Sequence, residues 1–188
     1  VPTETVYGLA VDADDPEAIR RLFALKQRPA NVPLPVAMGD ASWLERHTPS
    51  VPPIAAALAA RFWPGPLTLV VRSSADQYVH VRNERDTVAL RVPDHPLTRQ
   101  LLAAYDRPLA LTSANLHGEP DPTNAAKVRD QFSAGVSVVI DGGDAIHGTP
   151  STIVQVLGDD AIRVLREGAL PPEPLASVAS TFGATLIN

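Results

Sequence analysis

A chain of 188 residues, 45% hydrophobic and 20% charged, is long enough to bury one sizeable core, so a single soluble domain is the expectation. With 16 Lys and Arg against 21 Asp and Glu, the formal net charge of −5 gives no support to a generally basic nucleic-acid surface, and any anion site has to be a local cluster of cations. The absence of Cys removes disulfides, thiolate catalysis and Cys-based zinc sites. It also fits a reducing cytoplasm, and no apolar run approaches the ~18 residues that span a bilayer, so a cytoplasmic protein without a membrane partner is expected.

The opening Val1-Pro-Thr-Glu-Thr-Val-Tyr-Gly-Leu9 has neither an initiator Met nor a preceding helix, which leads us to expect an N-terminal helix and first strand ahead of it. Asp14 or Asp15 then caps a helix over Glu17 to Lys26, in which Ile19, Leu22 and Phe23 recur at helical spacing. That helix delivers Lys26 at its end. Pro29 and Pro33 restrict the backbone of residues 26–33 to an extended loop, from which Lys26 and Arg28 are expected to project as exposed charges. A short strand over Leu34 to Met38 follows, then helices over Ala41 to His47 and Pro53 to Phe62, the second ended by Trp63-Pro-Gly-Pro66. Leu67 to Arg72 and Thr87 to Val92 read as strands by β-branching and length. Arg91 lies among apolar neighbours and needs an anionic partner, either a structural acid or a substrate carboxylate or phosphate matched to its fork of donors.

His95-Pro96 introduces an amphipathic helix through Leu97, Leu101 and Leu102. Leu109 to Leu111 suits a buried strand, after which polarity changes abruptly at Thr112, Ser113 and Asn115 before Gly118 and Pro120 turn the chain. In open α/β sheets ligands collect beyond the carboxyl ends of strands, which places Ser113 and Asn115 where a substrate would be held. Thr123 stands at the start of a helix over Asn124 to Phe132, as cap or as ligand contact. Val136 to Ile140 reads as a strand closed by Asp-Gly-Gly. Gly148 to Val156 gives turn, hydroxyls and strand, and Ala161 to Gly168 pairs back on it across Gly158-Asp159. Arg163 and Arg166 are an odd number of residues apart, so only one faces a shared site. From Pro171 the tail reads as a linker and a terminal helix. Short turns between several strands make the expected fold class α/β (α+β), a mixed parallel and antiparallel sheet with helices on its faces.

The unusual polar residues, Thr3, Glu4, Thr5, Tyr7, Lys26, Arg28, Arg91, Ser113, Asn115, Ser151, Thr152 and Arg166, nearly all fall at strand ends or in Pro/Gly-bounded loops. No glycine-rich phosphate loop and no pair of His at metal-ligand spacing is present, and neither Ser113 nor Ser151 sits in the Gly-x-Ser-x-Gly of a hydrolase. Several cations with hydroxyls and no evident nucleophile suit phosphoryl or nucleotidyl transfer, where positioning and charge neutralisation carry the catalysis.

Seven segments stand in one order: Pro2-Thr-Glu-Thr-Val-Tyr-Gly-Leu9, Lys26-x-Arg28-Pro29, Trp63-Pro-Gly-Pro-Leu-Thr68, Arg91-Val-Pro-Asp-His-Pro96, Thr112-Ser-Ala-Asn115-x-x-Gly118, Pro150-Ser-Thr-Ile-Val154 and Leu165-Arg-x-Gly168. On these the chain resembles the YrdC/Sua5 family of threonylcarbamoyl-AMP synthases, in its short single-domain form. The resemblance implies a YrdC-like domain over residues 1–170, with a twisted sheet, flanking helices and a concave, positively charged face, and a tail over 171–188. It implies ATP, L-threonine and bicarbonate as substrates, and threonylcarbamoyl-AMP and pyrophosphate as products. These would feed threonylcarbamoyladenosine modification of tRNA through a downstream threonylcarbamoyl-transferase complex.

By position, Lys26, Arg28, Asn115, Thr123 and Arg166 would face the nucleotide, Thr3, Arg91, Ser113 and Ser151 would surround threonine, and Lys26, Arg28, Ser113 and Asn115 would form the catalytic group. Val32 and Ala37 depart from the Asn or His of some members. With no carboxylate cluster in view, Mg2+ is expected to enter with ATP rather than in a protein cage, and no other metal is expected. Two alternatives share the scaffold: a carbamoyl-transfer domain of the hydrogenase-maturation type, and a non-catalytic module binding double-stranded RNA on the concave face.

Overall fold

The computed structural model describes residues 1–29, 32–73, 78–83 and 86–187; Ala30 and Asn31 of the expected Pro-bounded loop lie outside them. Strand β1 (Gly8–Asp12) is followed by α1 (Pro16–Lys26), β2 (Val36–Ala37), α2 (Trp43–His47), α3 (Pro53–Phe62), β3 (Leu67–Arg72) and β4 (Thr87–Arg91). The chain continues through α4 (Pro96–Tyr105), β5 (Leu109–Ser113), α5 (Ala125–Gln131), β6 (Thr152–Val156), β7 (Ala161–Arg166), α6 (Pro172–Thr181) and β8 (Thr185–Ile187). The strands form one sheet in the order β1-β5-β2-β4-β3-β6-β7-β8. Pairs β2–β4, β3–β6 and β7–β8 are parallel, and β1–β5, β2–β5, β3–β4 and β6–β7 antiparallel, the mixed sheet expected from the short turns.

Each element has a local cause. Asp15 caps α1 by accepting from the backbone of Glu17 and Ala18, Pro16 occupies the first turn, and the face carrying Ile19, Leu22, Phe23 and Lys26 is buried. At the other end Gln27 takes a left-handed conformation and stops the helix. In β3 the residues Leu67 to Val71 are buried without alternation, as befits a central strand covered on both faces. One side of the sheet carries the main core, with Tyr7, Leu34, Met38, Ile54, Leu58, Leu69, Leu90, Ile162 and Leu175 among its buried side chains. A smaller cluster of Ala37, Leu102, Leu109 and Leu111 packs separately. Each large aliphatic side chain so buried contributes about 1.5–3 kcal/mol.

Several expectations are corrected. Residues 136–140 do not form a strand; among the described residues their backbone makes no backbone–backbone hydrogen bond, and Val138 is 73% exposed. β-branching suits a pleated surface, but a strand also needs ladder hydrogen bonds, and this segment makes none among the described residues. Instead this segment, α1, and the edge of β1 bearing Ala10 and Asp12 line an apolar cavity of about 520 Å³. The α5 cap is Asn124, which accepts from Lys127 N, and not Thr123. From Pro171 the tail forms the expected terminal helix, α6, with Leu175 fully buried, and only β8, which extends the sheet beside β7, is unexpected. Among the described residues no helix is long and apolar enough to cross a membrane.

Candidate active site

A cavity of about 140 Å³ opens on one face of the sheet, and Thr3, Arg28, Arg91, Ser113, Ser151 and Arg166 all line it. Arg91 ends β4 and Ser113 ends β5, but β5 runs antiparallel to β2 and β2 parallel to β4. The two strand ends therefore point in opposite directions, and the site spans the sheet's face instead of one carboxyl edge. Of the two arginines on β7, Arg166 lines the cavity and Arg163 does not, in keeping with their odd spacing. Ala37 lines it too, whereas Val32 does not.

The opening segment supplies a tight turn. Thr3 Oγ1 accepts from the backbone N–H groups of Thr5 and Val6, donates to Val6 O at 2.6 Å, and lies 2.8 Å from Thr5 Oγ1. Thr5 Oγ1 in turn accepts from Arg91 Nη2 at 2.9 Å. The anionic partner that Arg91 required is Glu4, whose Oε1 is 2.7 Å from Nη2, while Nε donates to Gly65 O at 3.1 Å. Glu4 stood in the sequence inventory without a role; the signal was a lone acid flanked by hydroxyls, with an arginine elsewhere lacking a partner. Tyr7 below the cavity pins residues 142 and 143, accepting from Gly142 N and donating to Gly143 O.

Lys26 is not on an exposed loop. It is 1% exposed, and its Nζ donates to Ser113 O at 2.5 Å, Asn115 O at 2.6 Å and Asn115 Oδ1 at 3.0 Å. Asn115 Oδ1 also accepts from Ser113 Oγ, and its Nδ2 donates to Glu119 O. All three ammonium hydrogens are thus committed to the β5 terminus, and Lys26 and Asn115 form a wall behind Ser113 without lining the cavity. Burial pushes the Lys26 ammonium down to about 8, with the Arg28 charge acting the same way and Asp121 opposing.

Arg28 differs. Its Nη2 donates to Pro33 O at 2.9 Å, and its buried Nε has no partner. Burial and then the charge of Arg166 hold its pKa below the usual arginine range; burial and the charge of Arg91 do so for Arg166, against Asp121. Three guanidinium groups in one small cavity, one with an unsatisfied buried donor, make a site that an anion relieves. Thr123 stands apart from it: its Oγ1 accepts from Lys127 Nζ and its carbonyl from Ala145 N.

Ser151 joins the two sides. Its Oγ is 2.8 Å from Thr68 Oγ1, and its carbonyl accepts from Nε and Nη2 of Arg166. The backbone here is held by Gly168, where a Cβ would lie 2.3 Å from Pro150 O and 2.5 Å from the Ser151 carbonyl carbon. Gly168→Ala is therefore expected to displace Ser151 and Arg166 together and to destabilise the fold by about 1–3 kcal/mol. A melting curve unchanged from wild type would show the contact to be relaxed at no cost.

Comparison with known proteins follows the same outline. The Sua5/YciO/YrdC family, described as "Telomere recombination", matches residues 1–168. Threonylcarbamoyl-AMP synthase of Pyrococcus abyssi is 40% identical over 177 residues, 94% of this chain, although the chain spans about half, 52%, of that relative's length. The enzyme of the same name from Chromohalobacter salexigens is 40% identical over 162 residues, covering 86% of this chain and 87% of its own. Among solved structures, P. abyssi Sua5 complexed with L-threonine superposes with a TM-score of 0.91 at 38% identity, covering 98% of this chain and 54% of that one. With the family matched from the opening turn to Gly168, the chain belongs to the Sua5/YciO/YrdC family.

Proposed function

We propose that the chain carries an L-threonylcarbamoyladenylate synthase site: ATP, L-threonine and bicarbonate give threonylcarbamoyl-AMP, pyrophosphate and water. The observation that carries this reading is the convergence of Arg28, Arg91 and Arg166 with the hydroxyls of Thr3, Ser113 and Ser151 on one cavity. The names of the relatives and the threonine complex of P. abyssi Sua5 support it. They do not favour a carbamoyl-transfer or purely RNA-binding role.

The threonine amine, its ammonium proton given up to solvent, attacks the bicarbonate carbon, and the hydroxyl lost from that carbon leaves as water with a second proton from nitrogen. An oxygen of the resulting carbamate then attacks the α-phosphorus as the bond to pyrophosphate breaks. Arg28 and Arg166 neutralise the charge that grows on the phosphates, supplying the electrostatic stabilisation such transfers depend on. Ser113 Oγ donates its hydrogen bond to Asn115 Oδ1, which leaves its lone pairs to accept an N–H of the substrate amine. Mg2+ would be held by the ATP phosphates and would supply charge neutralisation there, since among the described residues no cluster of His, Asp or Glu could cage it. The product passes to a downstream transferase for tRNA modification in the cytoplasm.

The test is pyrophosphate release measured with each substrate omitted in turn. Release is expected only with ATP, L-threonine and bicarbonate together. Release independent of threonine, or none from folded protein with all three present, would refute the reading.

A further inference from the structure

Glu4 is the buried carboxylate at the site, 3% exposed, and it takes no direct part in the chemistry above. It does not line the cavity, whereas Arg91 and the flanking Thr3 and Thr5 do. Its Oε1 accepts from Arg91 Nη2 at 2.7 Å, and its Oε2 accepts from Asp94 N at 2.9 Å, just beyond the end of β4. Its own carbonyl accepts from His147 N at 2.8 Å. Both carboxylate oxygens and the main chain are therefore tied to different segments, and the carboxylate cannot swing.

This arrangement sets what Arg91 can offer. Its Nε is spent on Gly65 O, and Nη2 on Glu4 and Thr5. A guanidinium is planar, so contacts at Nε and Nη2 fix the whole group, and the two hydrogens of Nη1 are the donors without a protein partner among the described residues. The fork that would grip a carboxylate through both terminal nitrogens is closed on one side. What remains is a single nitrogen held at a fixed place and angle.

We propose, on the assignment of this cavity to an amino-acid substrate, that Glu4 is a positioning residue that fixes Arg91 so that Nη1 alone receives the substrate carboxylate. Its partial neutralisation of Arg91 also keeps the buried cation from drawing a phosphate into the amino-acid end of the cavity. Specificity for a free carboxylate then resides in the pair rather than in Arg91 by itself.

Glu4→Gln keeps the shape but provides one carbonyl oxygen for two donors, so either Arg91 or Asp94 N loses its acceptor. Glu4→Asp keeps the charge but is one methylene too short to hold both. For both variants KM for L-threonine is expected to rise about tenfold or more, with KM for ATP unchanged and kcat at saturating threonine within a few-fold of wild type. The preference for L-threonine over L-threoninamide is expected to shrink in parallel, a readout that loss of stability alone does not move. An unchanged threonine KM and threoninamide ratio in a folded variant would overturn the proposal, as would full recovery by Glu4→Asp, which would reduce Glu4 to a bare charge. Failure of both variants to fold would assign Glu4 to stability and overturn it equally. A wild-type protein without threonine-dependent turnover would instead bring down the amino-acid assignment of the cavity.

Discussion

Lys26→Met is expected to lose both stability and turnover, the largest combined effect of any single substitution at the site. Methionine fills much the same volume but donates nothing, leaving Ser113 O and Asn115 O without the donor they share. A buried acceptor stripped of its partner costs about 1–3 kcal/mol, partly offset because a buried ammonium no longer has to be desolvated. For a chain of this size each 1 kcal/mol moves the melting temperature by about 2–4 °C, so a fall of several degrees is expected. Turnover is expected to fall by about a hundredfold or more, because Ser113 and Asn115 lose the group that holds them. The wild type should also show an alkaline limb. With the ammonium pKa brought down to about 8, rising pH removes a proton, and a neutral amine has only two hydrogens for three acceptors. Activity therefore declines above about pH 8. An unchanged melting temperature in Lys26→Met would contradict the buried latch, whatever the activity.

Arg28→Ala is expected to separate activity from stability in the opposite manner. Arg28 makes one hydrogen bond, to Pro33 O, has an unpaired buried Nε, and is repelled by Arg166. Its removal relieves repulsion as much as it loses attraction, so the melting temperature should change little. Turnover should drop roughly a hundredfold, the usual effect of deleting one preorganised stabiliser of transition-state charge. The comparison is kcat and melting temperature on one preparation, with Arg28→Lys recovering part of the loss through its charge. Wild-type turnover in Arg28→Ala would refute the role proposed for Arg28 at the ATP phosphates.

Strands β3 and β4, helices α1, α3 and α4, and the polar end of β5 were legible in the sequence because each is governed by local periodicity and by Pro, Gly or Asp at its limits. Residues 136–140 carry the same local signal but make no ladder hydrogen bonds among the described residues. Strand β8 shows the reverse case, a three-residue segment that becomes a strand only because β7 lies open beside it. At the site, chemistry-bearing residue types were visible, but not their allocation. That Lys26 spends its donors on β5 while Arg28, two residues on, keeps one free depends on distances between parts of the chain that no local pattern encodes. That Arg91 needs an acid was legible, but which acid was not, because Glu4 lies 87 positions away.

The strand order has a consequence for how the protein folds. Only β3–β4, β6–β7 and β7–β8 are neighbours in both sequence and sheet; β1–β5, β5–β2, β2–β4 and β3–β6 all require long loops to close. Local pairs form early and distant ones late, since loop-closure entropy must be met before a distant contact returns anything. The cavity draws on the opening turn, the segment after α1, β4, β5 and the β6–β7 hairpin, so it exists only once the last of these closures is made. A substrate seated there binds the folded molecule and none of its fragments. Such a ligand at a hundred times its Kd adds about 2.7 kcal/mol to the stability of the whole chain.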